Sequence, residues 1–251
     1  MTDVEAFRAL HVPGRPLVLY NIWDAGSARA VAAAGAPALA TGSHGVAEAL
    51  GAADGERLPF GEVIANLERI VRVVDVPVTI DLESGYGSDP ADVRGRVEAA
   101  RNAGAVGINL EDRMPGEARP LPVDRAAERV AGAAASGLFV NARTDLFRQT
   151  EPDEALIEEA VTRAHAFAEA GASGLFVPFL SDAAAVRRIC EGSPLPVNVI
   201  AKPQLGTLSE IAALGVARIS YGPQPWLWAM QRLQAEAEAI YRGGGGGEGR
   251  A

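Results

Sequence analysis

A single (β/α)₈ barrel is the fold this chain predicts, on three observations. Short apolar runs alternate with amphipathic segments rich in Ala, Glu and Arg along nearly the whole chain. Strict alternation of this kind means parallel strands joined by helical crossovers. The length, 251 residues, suits one such barrel. The first apolar run leads into Trp23-Asp24-Ala25-Gly26-Ser27, which is not the G-x-G-x-x-G turn that a doubly wound open sheet usually brings at that point.

The strand candidates are Leu17–Ile22, Ala38–Gly42, Val78–Glu83, Gly107–Glu111, Phe139–Arg143, Gly174–Val177, Val197–Ala201 and Arg218–Gly222. Each is short and apolar, as a buried parallel strand should be. Helical spacing marks Phe60–Val74, Pro90–Ala103, Val123–Ala135 and Asp153–Ala170 between them. Ala34-Gly35-Ala36, Ala103-Gly104-Ala105, Ala170-Gly171-Ala172 and Leu214-Gly215-Val216 precede strands, and their glycines read as helix C-caps. Pro225–Tyr241 carries Trp226, Trp228, Met230, Leu233 and Ile240 at helical spacing. This last helix either packs on its own barrel or is exchanged with a neighbouring subunit. The barrel domain is expected over 1–242, with 243–251 a disordered glycine-rich tail.

Composition narrows the function. A net charge of −9 opposes a general nucleic-acid binder, which needs a basic face. No apolar run is long enough to span a bilayer, and the first twenty residues lack a basic stretch followed by an apolar block. The one cysteine, Cys190, can form no intrachain disulfide. A cytoplasmic enzyme with a small-molecule substrate is the expectation.

In a (β/α)₈ barrel chemistry sits at the C-terminal ends of the strands. Alternation along Val78–Glu83 turns Thr79, Asp81 and Glu83 inward, with Asp81 and Glu83 roughly 6–7 Å apart on one face. The next strand adds Asn109 and Glu111. Acids that converge raise one another's pKa unless a cation sits among them, and a hard divalent ion with oxygen ligands is the economical answer. The competing reading pairs them with Arg113 or Arg143 or sets them at helix caps. Arg143 at the fifth strand end suits a carboxylate clamp, or a salt bridge to a neighbouring acid. Thr41-Gly42-Ser43-His44-Gly45 offers backbone N–H groups to an anion, a hydroxyl from Ser43, and His44 as a secondary general-base candidate. Trp23 either walls a pocket or belongs to the core. Asn198 alternates inward and is a candidate substrate contact.

Together these residues resemble the isocitrate lyase/phosphoenolpyruvate mutase superfamily. The carrying motifs are Tyr20-Asn21-Ile22-Trp23-Asp24-Ala25-Gly26-Ser27-Ala28, Thr41–Ala47, Asp81-Leu82-Glu83-Ser84-Gly85-Tyr86-Gly87, Asn109-Leu110-Glu111-Asp112 and Asn141-Ala142-Arg143-Thr144, in the family's order. The resemblance implies Mg²⁺ (with Mn²⁺ as a substitute) held mainly by Asp81, with Glu83, Glu111 and Asp54 reaching it through water. It implies a substrate carboxylate held by the backbone of Ser43, His44 and Gly45 and by Arg143, with Trp23 lining the pocket. It also implies a homotetramer, or a dimer, with the last helix exchanged.

Two departures matter. The family often has aspartate where Glu83 stands. The loop after Glu111 reads Asp112-Arg113-Met114-Pro115-Gly116-Glu117-Ala118-Arg119-Pro120-Leu121-Pro122, without the Lys-Lys-Cys-Gly-His stretch of isocitrate and methylisocitrate lyases and without the asparagine of phosphonate-processing relatives. The expectation is an Mg²⁺-dependent lyase that cleaves a C–C bond of a small 2-oxo or 2-hydroxy (di)carboxylic acid through an enolate, such as oxaloacetate or a methylisocitrate-like acid. The rivals are C–P chemistry of the phosphonopyruvate hydrolase or phosphoenolpyruvate mutase kind, and a 2-oxo acid binder with little turnover.

Overall fold

The structure, a computed structural model, describes residues 4–242; the glycine-rich tail lies outside the described residues. The elements run α1 Val4–Ala9, β1 Leu17–Leu19, α2 Ala25–Ala33, β2 Leu39–Ala40, α3 Ser43–Ala49, α4 Phe60–Val71, β3 Val78–Asp81, α5 Pro90–Asn102, β4 Gly107–Glu111, α6 Val123–Ala134, β5 Phe139–Arg143, α7 Glu154–Glu169, β6 Gly174–Phe176, α8 Ala183–Gly192, β7 Val197–Ile200, α9 Leu208–Ala212, β8 Arg218–Ser220 and α10 Gln224–Arg242.

All eight strands join one sheet in the order β1-β8-β7-β6-β5-β4-β3-β2, with every neighbouring pair parallel. The ring closes between the extensions of β1 and β2. Ile22 and Thr41 form a parallel bridge, with Ile22 N–H donating to Ala40 and Gly42 N–H to Ile22. This is the (β/α)₈ barrel the alternation predicts. β4 and β5 match their apolar runs, and the other six strands run shorter because residues at the ends of those runs leave the ladder. Gly35, Gly104, Gly171 and Gly215 all have φ between 92° and 100°, the left-handed C′ conformation that ends a helix and turns the chain into the next strand.

Outward-facing strand residues such as Ile80, Ile108, Val140, Leu175 and Val199 meet the helices in one continuous apolar layer. The lumen is different. Its base is sealed by Phe7, Leu17, Leu19, Ala38, Ala40 and Phe139, and α1 plugs it from below. His11 stacks on Phe139 at 4.2 Å between centroids. Above this plug the lumen is polar. Asn141 donates to Asn109 (2.9 Å) and Asn198 (3.0 Å), and Arg218 crosses from β8 to reach Asn109 at 3.3 Å.

On α10 Pro225 alone is fully buried, while Trp228, Leu233 and Ile240 are 45%, 63% and 71% exposed in the single chain. None of the described helices is long and apolar enough to cross a membrane.

Candidate active site

A cavity of about 330 Å³ opens at the C-terminal ends of the strands. Its polar side is built by Ser43, His44, Asp54, Asp81, Asn109 and Arg143. Its apolar side comes from the ends of β6, β7 and β8 and the start of α10, with Phe176, Phe179, Ile200 and Leu227 among the lining. A few convergent polar groups facing an apolar wall is the usual form of a small-molecule site.

Asp81 ends β3 and lines the cavity. Its Oδ2 accepts the Ser43 N–H at 3.5 Å and its Oδ1 the Glu83 N–H at 3.3 Å. Among the described residues it forms no salt bridge. Burial raises its pKa, opposed by the charge of Arg143 and reinforced by Asp54. The Ser43 N–H belongs to the first turn of α3. By helix geometry the N–H groups of Ser43, His44 and Gly45 lack intrahelical acceptors, so the backbone expected to meet an anion starts a helix rather than forming a loop.

Arg143 forms the salt bridges of one of its sequence readings. It lines the cavity and is also paired, through Nη1 to Glu111 at 3.0 Å and through Nε and Nη2 to Asp145 at 2.7 and 3.1 Å. Those acids, led by Glu111, hold its pKa up against burial. Asp145 also accepts from Arg113 Nε at 3.0 Å. Burial alone would raise Asp145, but Arg143 outweighs it and holds this carboxyl below the usual range. Asp145 lies two residues after Arg143, just beyond the last of the quoted motifs. The alternation rule overlooked it because it lies past the strand end.

The other predicted residues divide. Asp54 and His44 line the cavity. Glu111 is buried between Arg143 and Arg113 and is not among the lining residues; burial raises its pKa, opposed by Arg143. Glu83 is turned by a left-handed backbone, φ 51°, out of the alternation that would have aimed it inward. Burial and the nearby Asp81 push it up to about 7. Asn198 lies beneath the cavity, donating to Ser220 and to two strand carbonyls. Trp23 packs edge-on against Trp226 with centroids 5.2 Å apart, and Gly45 sits where a Cβ would meet both tryptophans at 3.2 Å. Neither lines the cavity. The loop after Glu111 contributes no lining residue in this conformation. Arg113 turns to Asp145, and Asp112 pairs with Arg163 at 3.0 Å.

Among the described residues no three His, Cys, Asp or Glu side chains are grouped so as to enclose an ion by themselves. That opposes a closed cage of protein ligands, as in structural zinc sites. It suits Mg²⁺, which takes one or two carboxylates and completes its shell with water and substrate oxygens. Asp81, half-buried, cavity-facing and in no salt bridge among the described residues, is the donor that fits.

The family model described as phosphoenolpyruvate phosphomutase matches residues 7–241. An uncharacterized protein of Mycobacterium tuberculosis H37Rv is 34% identical over 95% of this chain and 90% of its own length. The 2-methylisocitrate lyase of Escherichia coli K12 is 27% identical, covering 94% of this chain and 82% of the lyase. The oxaloacetate decarboxylase of Paraburkholderia xenovorans is 29% identical, covering 90% and 78%. Among solved structures, a Burkholderia cenocepacia J2315 protein with a provisional phosphonomutase name is 50% identical with TM-score 0.91, covering 94% of this chain and 98% of that one. A phosphonopyruvate hydrolase solved with oxalate and Mg²⁺ shares the fold, at 24% identity and TM-score 0.86, covering 98% and 89%.

Proposed function

The chain belongs to the phosphoenolpyruvate phosphomutase family, an enzyme of the isocitrate lyase/phosphoenolpyruvate mutase superfamily, and we propose that it is an Mg²⁺-dependent lyase that cleaves a C–C bond of a small 2-oxo or 2-hydroxy acid, oxaloacetate first among them. The observation that carries this is Asp81, a half-buried carboxylate at the cavity that forms no salt bridge among the described residues, with a helix start and Arg143 beside it.

Mg²⁺, when bound, would supply Lewis-acid polarisation of the 2-oxo group. Asp81 would hold it, with the nearby Asp54 adding negative charge. The first-turn N–H groups of α3 and the Ser43 hydroxyl receive the substrate's C1 carboxylate. Arg143, oriented by Asp145, stabilises the enolate charge that cleavage leaves. Glu111 sets that arginine from the other side. The apolar wall of Phe176, Phe179, Ile200 and Leu227 surrounds the group that departs and excludes water from the carbanion. Decarboxylation asks for little acid–base machinery, which agrees with a loop after Glu111 that lacks cysteine and histidine. The exposed apolar face of α10 supports assembly into a homotetramer or dimer through that helix.

The second reading is C–P chemistry, and the likeness to the Burkholderia cenocepacia protein favours it. It uses the same metal and enolate. Assays with oxaloacetate, 2-methylisocitrate and phosphonopyruvate, each with Mg²⁺ and with EDTA, separate the two. Pyruvate release from a C–C substrate that stops on chelation is the expected result. Phosphate release from phosphonopyruvate alone reverses the ranking, and turnover untouched by EDTA removes the ion from the account.

A further inference from the structure

Among the described residues three other than glycine adopt left-handed backbone: Glu56 (φ 58°), Glu83 (φ 51°) and Tyr86 (φ 51°). Such conformations are uncommon for residues with a Cβ and persist where surrounding interactions over-determine them. All three meet at one junction. Glu83 Oε2 accepts the Glu56 N–H at 2.8 Å, and Glu83 Oε1 accepts the Tyr86 hydroxyl at 3.0 Å. In return Glu56 Oε1 accepts the Ser84 hydroxyl at 2.5 Å and the Tyr86 N–H at 3.0 Å. From behind, Arg129 of α6 donates to the carbonyls of Ser84 and Gly87. Two loops that share no strand pairing are thus tied by reciprocal bonds from two glutamates.

One of those loops carries Asp54, two residues before Glu56; Asp54 lines the main cavity, whereas Glu83 lines the narrow space behind it with Ser43 and Asp81, its two carboxylate oxygens taken by Glu56 and Tyr86. We infer that Glu56 and Glu83 form a latch that fixes Asp54 over the cavity, and that Glu83 is a positioning residue rather than a ligand of the ion. The inference rests on the reading of Asp54 and Asp81 as ion-site residues. The extra methylene of glutamate over aspartate is what lets Glu83 reach the Glu56 backbone. An aspartate there would stop short of it.

Two comparisons test the latch. In Glu83→Gln the amide keeps an oxygen for the Glu56 N–H and presents an N–H₂ to the Tyr86 oxygen, so the latch persists while the charge is gone. Mn²⁺ binding followed by electron paramagnetic resonance should then weaken less than about threefold. Loss of about 10–100-fold, the effect expected of a residue that ligates or supports an ion directly, overturns the inference. In Glu56→Ala, hydrogen exchange at residues 51–57 should rise at least tenfold, and kcat should fall on the wild-type background but not on an Asp54→Ala background. Glu56→Gln, which keeps the accepting oxygen, should restore both. Unchanged exchange, or a kcat loss that is additive with Asp54→Ala, refutes the latch. Should Glu56→Ala not fold, Tyr86→Phe removes one bond of the same ring and must move exchange at 51–57 in the same direction. If wild-type protein binds no Mn²⁺, the ion reading fails, whereas the exchange comparison still decides the latch.

Discussion

Replacing Asp145 by asparagine tests how the cavity arginine is held. The Asp145 side chain is fully buried and takes two bonds from Arg143, at 2.7 and 3.1 Å, and one from Arg113 at 3.0 Å. Asparagine preserves the shape but has one acceptor and one N–H₂, and that N–H₂ must face a guanidinium that can only donate. Removing one partner of a buried ion pair costs about 3–5 kcal/mol. Glu111 stays near both arginines, at 3.0 Å from Arg143 and 3.7 Å from Arg113, so the loss should fall at the lower end, about 3 kcal/mol. For a domain of this size that is a drop in Tm of roughly 6–12 °C. Calorimetric melting at pH 7.5 reads the stability, and the KM of the active substrate should rise because Arg143 loses its orientation. A Tm within 2 °C of wild type refutes the reasoning, since the arginines would then not depend on this carboxylate.

Gly107→Ala should destabilise by about 1–3 kcal/mol, because its Cβ would stand 2.9 Å from the Phe139 carbonyl oxygen and 3.1 Å from Thr79 Oγ1; an unchanged or raised Tm contradicts the packing described for the lumen. His11 gives the acid limb of stability. Burial, helped by Arg218, holds its imidazole neutral with a pKa of about 3. The Phe7 carbonyl accepts from its Nδ1, so that nitrogen carries the proton. As pH falls below the unfolded value of about 6.5 the unfolded chain takes up the proton first, and the folded state loses up to about 5 kcal/mol by pH 3. His11→Phe should flatten that loss in urea titrations between pH 7 and 4; parallel curves for variant and wild type contradict it.

The architecture was legible because each signal was local. Glycines 35, 104, 171 and 215 end helices where the left-handed turn demands them, and β4 and β5 run over the residues their apolar patterns mark. The mouth was legible as far as alternation held. Asp81, Arg143, Ser43 and His44 all reach the cavity. Alternation fails once the chain leaves the ladder, so it mispointed Glu83, whose φ of 51° turns it toward Glu56, and passed over Asp145. Periodicity also says which face is inward without saying what fills a lumen. The plug of Phe7 and His11 on Phe139, the Asn109–Asn141–Asn198 ladder and the crossing of Arg218 depend on segments far apart in sequence meeting inside the barrel. No window of sequence contains both partners. Trp23 and Gly45 went to packing for the same reason, since their partner Trp226 is far along the chain.

Titration of wild type and Asp81→Asn with Mn²⁺, in the presence of oxalate as a 2-oxo acid mimic, addresses the ion directly. Wild type should bind one ion per chain, more tightly with oxalate than without, and the variant should bind at least a hundredfold more weakly with no oxalate enhancement. Equal affinity in the two proteins would contradict the assignment of Asp81 as the group that holds the metal.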